Sequence, residues 1–211
     1  MIQGFWHICM LNKYIEIVEE QLKLMVDSGL YDEVKKIHCG CVGDKKNLDD
    51  VFQVLKGRKK FIIYHNPDVK VYEFFSLRII EYMVTKAKFY GFYIHTKACS
   101  WPNHPGGKYW RDYMNYYNIT QWRTALDHIK LGYDTCGVKF LNYRVKAFYR
   151  PHYSGNFFWF NSEYAKTLKP VDTMNIKDRF DAEMWMCSNT PIAATLCQKF
   201  VDYNTKGIFK P

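Results

Sequence analysis

Four short apolar runs in the first half of the chain, at residues 5–11, 34–42, 61–65 and 92–95, are separated by segments with helical spacing. That alternation limits the fold more than any other feature. Between the first two runs, Ile15, Val18, Leu22 and Met25 recur at helical intervals over residues 14–28, and Gly29 stands where such a helix would stop. Residues 47–55 read as a short helix, with Asn47 as cap and Asp49 and Asp50 in its first turn. Residues 72–88 read as an amphipathic helix with Phe75, Ile79, Tyr82 and Met83 facing inward. Strands that alternate with helices build a parallel sheet covered on both faces. The expected fold is therefore α/β, a mixed and mostly parallel central sheet of about six strands.

The second half is less regular. Pro and Gly mark residues 100–108 as a loop. Residues 109–130 read as a helix, with Trp110, Met114, Trp122 and Leu126 as apolar members, and residues 138–149 as strand. A glycine turn follows within residues 151–160, then a helix near 162–168 capped by Asn161 or Ser162, and a further helix entry over 178–187. At 211 residues, with no repeat and no linker, the chain reads as one domain, 1–211.

Composition narrows the partners. The formal charge of +9 favours an anionic ligand, but the cations are scattered, and the densest run, Lys56–Lys60, sits in a turn before a strand. Aromatic residues make up 18% of the chain and fall within apolar periodic segments, so most belong to the core. A nucleic-acid surface would interleave the two, so no nucleic-acid partner is expected. The seven cysteines include no C-x-x-C pair, which argues against a zinc ribbon or redox motif and for free thiols in a reducing compartment. The N-terminus has no basic start, and no apolar run reaches the roughly 18 residues of a membrane span. A soluble cytoplasmic protein is expected.

In parallel sheets, ligands bind beyond the carboxyl ends of the strands. Here those ends carry Met10-Leu11-Asn12, Gly43-Asp44, His65-Asn66 and His95-Thr96-Lys97. Lys97 offers a point charge to a phosphate, and His95 suits a metal or a phosphate oxygen. Two later segments also carry polar groups. In one, His152 and Asn156 flank Gly155 ahead of Phe157, Phe158 and Trp159; in the other, Asp178-Arg179-Phe180-Asp181-Ala182-Glu183-Met184-Trp185, a carboxylate is placed to act as general base. Each also has a plain structural reading: a core histidine, a tight turn into a buried strand, and an Arg179–Glu183 surface pair on a helix.

Taken together, YIHTK, HYSGNFFWF followed by LKP, and RFDAEMW, with the opening WHICMLNKYIEIVEEQL and the segment YEFFSLRII, resemble a family of bacterial and viral glycosyltransferases. The resemblance covers nearly the whole chain and is closest to the small glycosyltransferase domain encoded by chlorella viruses. It implies a GT-A-like fold, a UDP-sugar donor, a glycan hydroxyl as acceptor, and Mn²⁺ as cofactor. For a viral chain, the compartment would be the host cytoplasm. Residues 1–99 would form the nucleotide-binding half and 100–211 the acceptor and catalytic half. Met10, Leu11, Asn12, Tyr64 and His65 would hold the uridine and Lys97 the diphosphate. His152, Asn156 and Trp185 would contact substrate. Glu183, or Asp181, would be the base.

The sequence departs from that family's usual metal motif. No D-x-D occurs, and its expected position reads His95-Thr96-Lys97. Either Lys97 replaces part of the cation's charge, or the diphosphate holds Mn²⁺ with His95 or His152 assisting. The alternative to catalysis is a carbohydrate- or nucleic-acid-binding module.

Overall fold

The computed structural model describes residues 1–100, 104–142 and 151–198. In chain order the elements are β1 (Ile2–Cys9), α1 (Tyr14–Asp27), the single turn α2 (Leu30–Glu33), β2 (Val34–Val42), α3 (Leu48–Leu55), β3 (Phe61–Asn66), α4 (Phe74–Val84), β4 (Tyr90–His95), α5 (Pro105–Asn115), α6 (Trp122–Lys130), β5 (Thr135–Val138), β6 (Phe140–Leu141), β7 (His152–Tyr153), β8 (Phe158–Asn161), α7 (Ser162–Ala165), α8 (Arg179–Met184) and β9 (Ala193–Cys197). Seven strands form one sheet in the order β3-β2-β1-β4-β8-β5-β9. The first four pair in parallel, as their alternation with helices predicts. Only β8 runs against its neighbours, β4 and β5. β6 and β7 make a separate two-stranded ribbon. The architecture is a Rossmann-like α/β sheet flanked by helices, and among the described residues no helix is long and apolar enough to cross a membrane.

β1 shows how the two faces are divided. Successive side chains of a strand point to opposite faces. Trp6 and Ile8 enter the core beneath α1, α3, α5 and α6, with Ile17, Val18, Val51, Trp110 and Trp122. Phe5 enters the core beneath α4, α7 and α8, with Phe74, Leu77 and Ile80. His7, on the same face as Phe5, pairs its Nδ1 with Ser76 Oγ of α4 at 2.9 Å. α4 lies close to the sheet there: a Cβ added at Gly40 of β2 would come within 2.1 Å of Ser76 Oγ.

Several boundaries differ from the sequence expectation. α4 is shorter than residues 72–88 and turns another stripe inward. Phe74, Leu77, Ile80 and Val84 are buried, whereas Tyr82 is 60% exposed. Apolar residues occupy eight of the eleven positions of this helix, so spacing alone does not choose the stripe; packing on β1 and β2 does. Asn47 does not cap α3; its Nδ2 donates to Met10 O at 3.2 Å, and Asp44 caps the preceding turn instead. The helix expected at 109–130 begins earlier, with Pro105 in its first turn, a position proline tolerates. It is interrupted by a π-helical segment, Tyr116–Thr120, before α6. The strand expected at 138–149 breaks at Lys139 (φ +48) between β5 and β6, and residues 143–150 lie outside the described residues.

Close approach sets one constraint that can be measured. A Cβ at Gly91 of β4 would meet the buried Phe160 ring of β8 at 2.2 Å. Gly91→Ala should therefore destabilise the protein by about 1–3 kcal/mol through overpacking, read from urea denaturation. A change below about 0.5 kcal/mol would mean that Phe160 moves aside freely.

Candidate functional site

A cleft of about 350 Å³ opens beyond the carboxyl ends of β1 and β4. Leu11, Glu73, Lys97, Trp110, Arg179 and Glu183 are among the residues lining it, brought together from five separate stretches of chain. β1 and β4 pair in parallel with His7 opposite His95, so the two strands end side by side. Thr96 links them further: its N–H donates to His7 O at 3.0 Å, and its Oγ1 accepts from Cys9 N–H at 3.0 Å.

The turn carrying Lys97 is held from outside the sheet. Gln21 of α1 donates to His95 O at 3.0 Å and to Asn115 Oδ1 at 3.1 Å, and accepts from Trp6 Nε1 at 2.8 Å. Arg111 of α5 donates to Lys97 O at 3.1 Å, while its other nitrogens grip both carboxylate oxygens of Glu20 at 3.1 and 3.2 Å. Cys9 and Cys99, both lining the cleft, hydrogen-bond to each other, which holds the Cys99 thiol below and the Cys9 thiol above the usual range.

The electrostatics centre on Glu73, a residue the sequence reading did not single out. Burial, and then the charge of Glu183, push its carboxyl above the ordinary value; a hydrogen bond from its own backbone N–H, and then Lys97 and Arg179, pull the other way. His95 lies behind it. Burial holds this imidazole well below its ordinary value, so it is neutral, and its Nε2–H donates to Gly155 O at 2.9 Å. Its Nδ1 therefore presents a lone pair, 3.8 Å from Glu73 Oε1. Burial also pushes His7 down to about 3.

Of the sequence candidates, Leu11, His95, Lys97 and Glu183 line this cleft. The others lie elsewhere. Met10 is buried, and Asn12 (φ +51) uses its Nδ2 on Cys99 O at 3.0 Å. Tyr64 and His65 are on β3, at the sheet edge and two strands from β1. The Tyr64 hydroxyl pairs with His38 Nδ1 at 3.1 Å, and His65 Nε2 donates to Gly43 O at 2.8 Å. His152 is buried on β7. Asn156 is buried at φ +60, next to the glycine whose carbonyl anchors His95. Asp181 Oδ2 accepts from Asn175 N–H at 3.0 Å, which shapes the turn before α8. Trp185 is core, its Nε1 donating to Lys169 O at 2.9 Å. Of His152, Asn156, Asp181 and Glu183, the cleft lining includes Glu183.

The described residues do not assemble the Mn²⁺ site that the resemblance implies. His95 has Nε2 on Gly155 O and only Nδ1 left, beside Glu73, and His152 is not part of the cleft lining. Among the described residues, no group of three or more His, Cys, Asp or Glu side chains is set to hold a metal. The lining does supply fixed cationic charge, from Lys97, Lys70 and Arg179.

No family model matches the chain, and no curated protein matches it in sequence. Among solved structures, it is similar to the 4-diphosphocytidyl-2C-methyl-D-erythritol synthase of Anaerococcus prevotii, with a TM-score of 0.53 over 100% of this chain and 93% of that one. Identity is 6%, so the likeness is one of fold.

The raised Glu73 carboxyl has a consequence for stability. The folded state holds this proton more tightly than the unfolded state, so ionising Glu73 destabilises the fold. That loss is absent below the ordinary carboxylate value, grows as pH rises toward the raised folded value, and is constant above it. Glu73→Gln should accordingly gain stability relative to the parent as pH increases from about 4 to about 8. Parallel stability curves for the two proteins across that range would show that the carboxyl is not perturbed.

Proposed function

We propose that the chain is a transferase of nucleotide sugars, moving a hexose-type sugar from a UDP-sugar donor to a glycan hydroxyl in the cytoplasm. The observation that carries this reading is the composition of one cleft, whose lining brings Lys97 and Arg179 together with Glu73 and Glu183. The cleft lies at the carboxyl ends of parallel strands, where Rossmann-like sheets bind ligands. The motif resemblance supplies the class of donor.

In this reaction, the bond from the acceptor oxygen to the anomeric carbon forms as the bond from that carbon to the diphosphate oxygen breaks. The departing diphosphate gains negative charge. Lys97, fixed through its backbone by Arg111, and Arg179 stabilise that charge. Glu183 takes the acceptor's proton. These cations stand in for a protein-held metal, so UDP binding should persist in chelator.

The donor reading is tested by calorimetry with UDP, uridine, GDP, CMP and an oligonucleotide, with and without Mn²⁺. The cytidine arm is included because the similar solved structure is named for a diphosphocytidyl product. UDP should bind, and Lys97→Ala should weaken UDP by about tenfold while leaving uridine unchanged, the loss expected of one charge-assisted phosphate contact. Equal losses for both ligands would remove Lys97 from the phosphate site, and binding of the oligonucleotide alone would reject the transferase.

The catalytic assignment has its own test. Glu183→Gln keeps the shape and removes the charge. Donor binding should survive while transfer falls by about 10²–10⁴-fold, the contribution of a positioned general base. Transfer at the parental rate would show that Glu183 is not the base.

A further inference from the structure

Glu73 stands immediately before α4, and its own backbone N–H hydrogen-bonds its carboxyl. Its backbone is fixed: the carbonyl accepts from Ser76 N–H at 2.9 Å and Leu77 N–H at 3.0 Å as the first turn of α4 forms. The preceding Tyr72 sits at φ +47, a conformation rare for a bulky side chain. The carboxyl is only 19% exposed and faces the cleft. Among the described residues, no other residue donates a hydrogen bond to it; the nearest nitrogen, His95 Nδ1 at 3.8 Å, offers a lone pair rather than a proton. A buried carboxyl is normally satisfied by donors of the protein itself. Here, beyond its own backbone N–H, the carboxyl is left to donors that a ligand in the cleft would bring.

The surroundings narrow what that ligand presents. A diphosphate would bring more negative charge, and it is better served by Lys97 and Arg179. A divalent cation would need further ligands, and among the described residues no such cluster exists. What remains is a neutral group bearing several O–H donors. We propose that Glu73 binds hydroxyls of the transferred sugar, and thereby selects a neutral hexose over one carrying a carboxylate. This rests on the donor reading given above. Glu183, whose charge acts on Glu73, adds to the repulsion of an acidic sugar.

Calorimetry with UDP, UDP-glucose, UDP-galactose and UDP-glucuronate, on the parent chain, Glu73→Gln and Glu73→Ala, tests the assignment. The parent should bind at least one neutral donor about tenfold more tightly than UDP-glucuronate, the scale of one charge-assisted hydrogen bond. Glu73→Gln should lower that ratio severalfold, the remainder resting on Glu183, and Glu73→Ala should erase the gain of the neutral sugar over UDP. Both variants should bind UDP itself as the parent does, which a merely structural defect would not allow. UDP-glucuronate binding as tightly as the neutral donors to the parent would overturn the proposal even if neither variant folds. So would an undiminished sugar gain in Glu73→Ala. If UDP binds but the sugar arms fail, the donor reading survives and only the role of Glu73 falls. If the parent binds no uridine nucleotide, both fall.

Discussion

Gln21 holds three parts of the molecule at once. This fully buried amide accepts from Trp6 on β1 and donates to the backbone of His95 on β4 and to Asn115 on α5. Buried amides that meet their hydrogen-bonding needs rigidify what they join, whereas a half-satisfied one would be costly. The turn after β4 is therefore not free to wander. Its second clamp, Arg111 on Lys97 O, is fixed in turn by Glu20, one residue before Gln21 on α1. A single turn of α1 thus sets the place of the cleft's central lysine, although it lines none of that part of the cleft itself.

The cleft lining carries both signs of charge, Lys97, Lys70 and Arg179 against Glu73 and Glu183. The exposure of the Glu73 carboxyl to the cleft depends on His95 staying neutral. Were this imidazole charged, it would pair with Glu73 and withdraw that carboxyl from the cleft. Burial, and the commitment of Nε2 to Gly155 O, prevent this. The His-Tyr-Ser-Gly-Asn turn, read from sequence as a sugar contact, serves here by holding a histidine in place from behind. Gly155 is itself confined, since a Cβ there would strike Met114 and Trp110.

Much of the fold was legible because β1 to β4 are separated by helices of clear spacing, and strand ends mark where ligands bind. That Lys97 and Glu183 line the cleft was reachable from the sequence: one follows a strand, and the other is a carboxylate in a polar helical segment. Glu73 was not. In the sequence it is one acidic residue among aromatics, at the edge of a helix whose inward stripe was itself misassigned. Only the packing of α4 on β1 and β2 turns it toward the cleft. Gln21 and Arg111 were hidden for a different reason: their partners are backbone carbonyls, which leave no trace in side-chain patterns. Tyr64 and His65 were chosen because β3 ends like the other strands, but strand order puts β3 at the margin, with β2 between it and β1.

The π-helical segment Tyr116–Thr120 acts as a phase adjuster. Each residue of an α-helix turns the next by about 100°, so one extra residue within a turn rotates everything after it by that amount. Upstream of the segment, α5 presents Trp110 and Arg111 to the cleft and its clamp. Downstream, α6 presents Trp122, Ala125, Leu126 and Ile129 to the core beside β5 and β8. Had the chain stayed α-helical, one of these two faces would have missed its target. A one-residue deletion here would turn α6 by about 100° relative to α5 and carry its apolar face off β5 and β8.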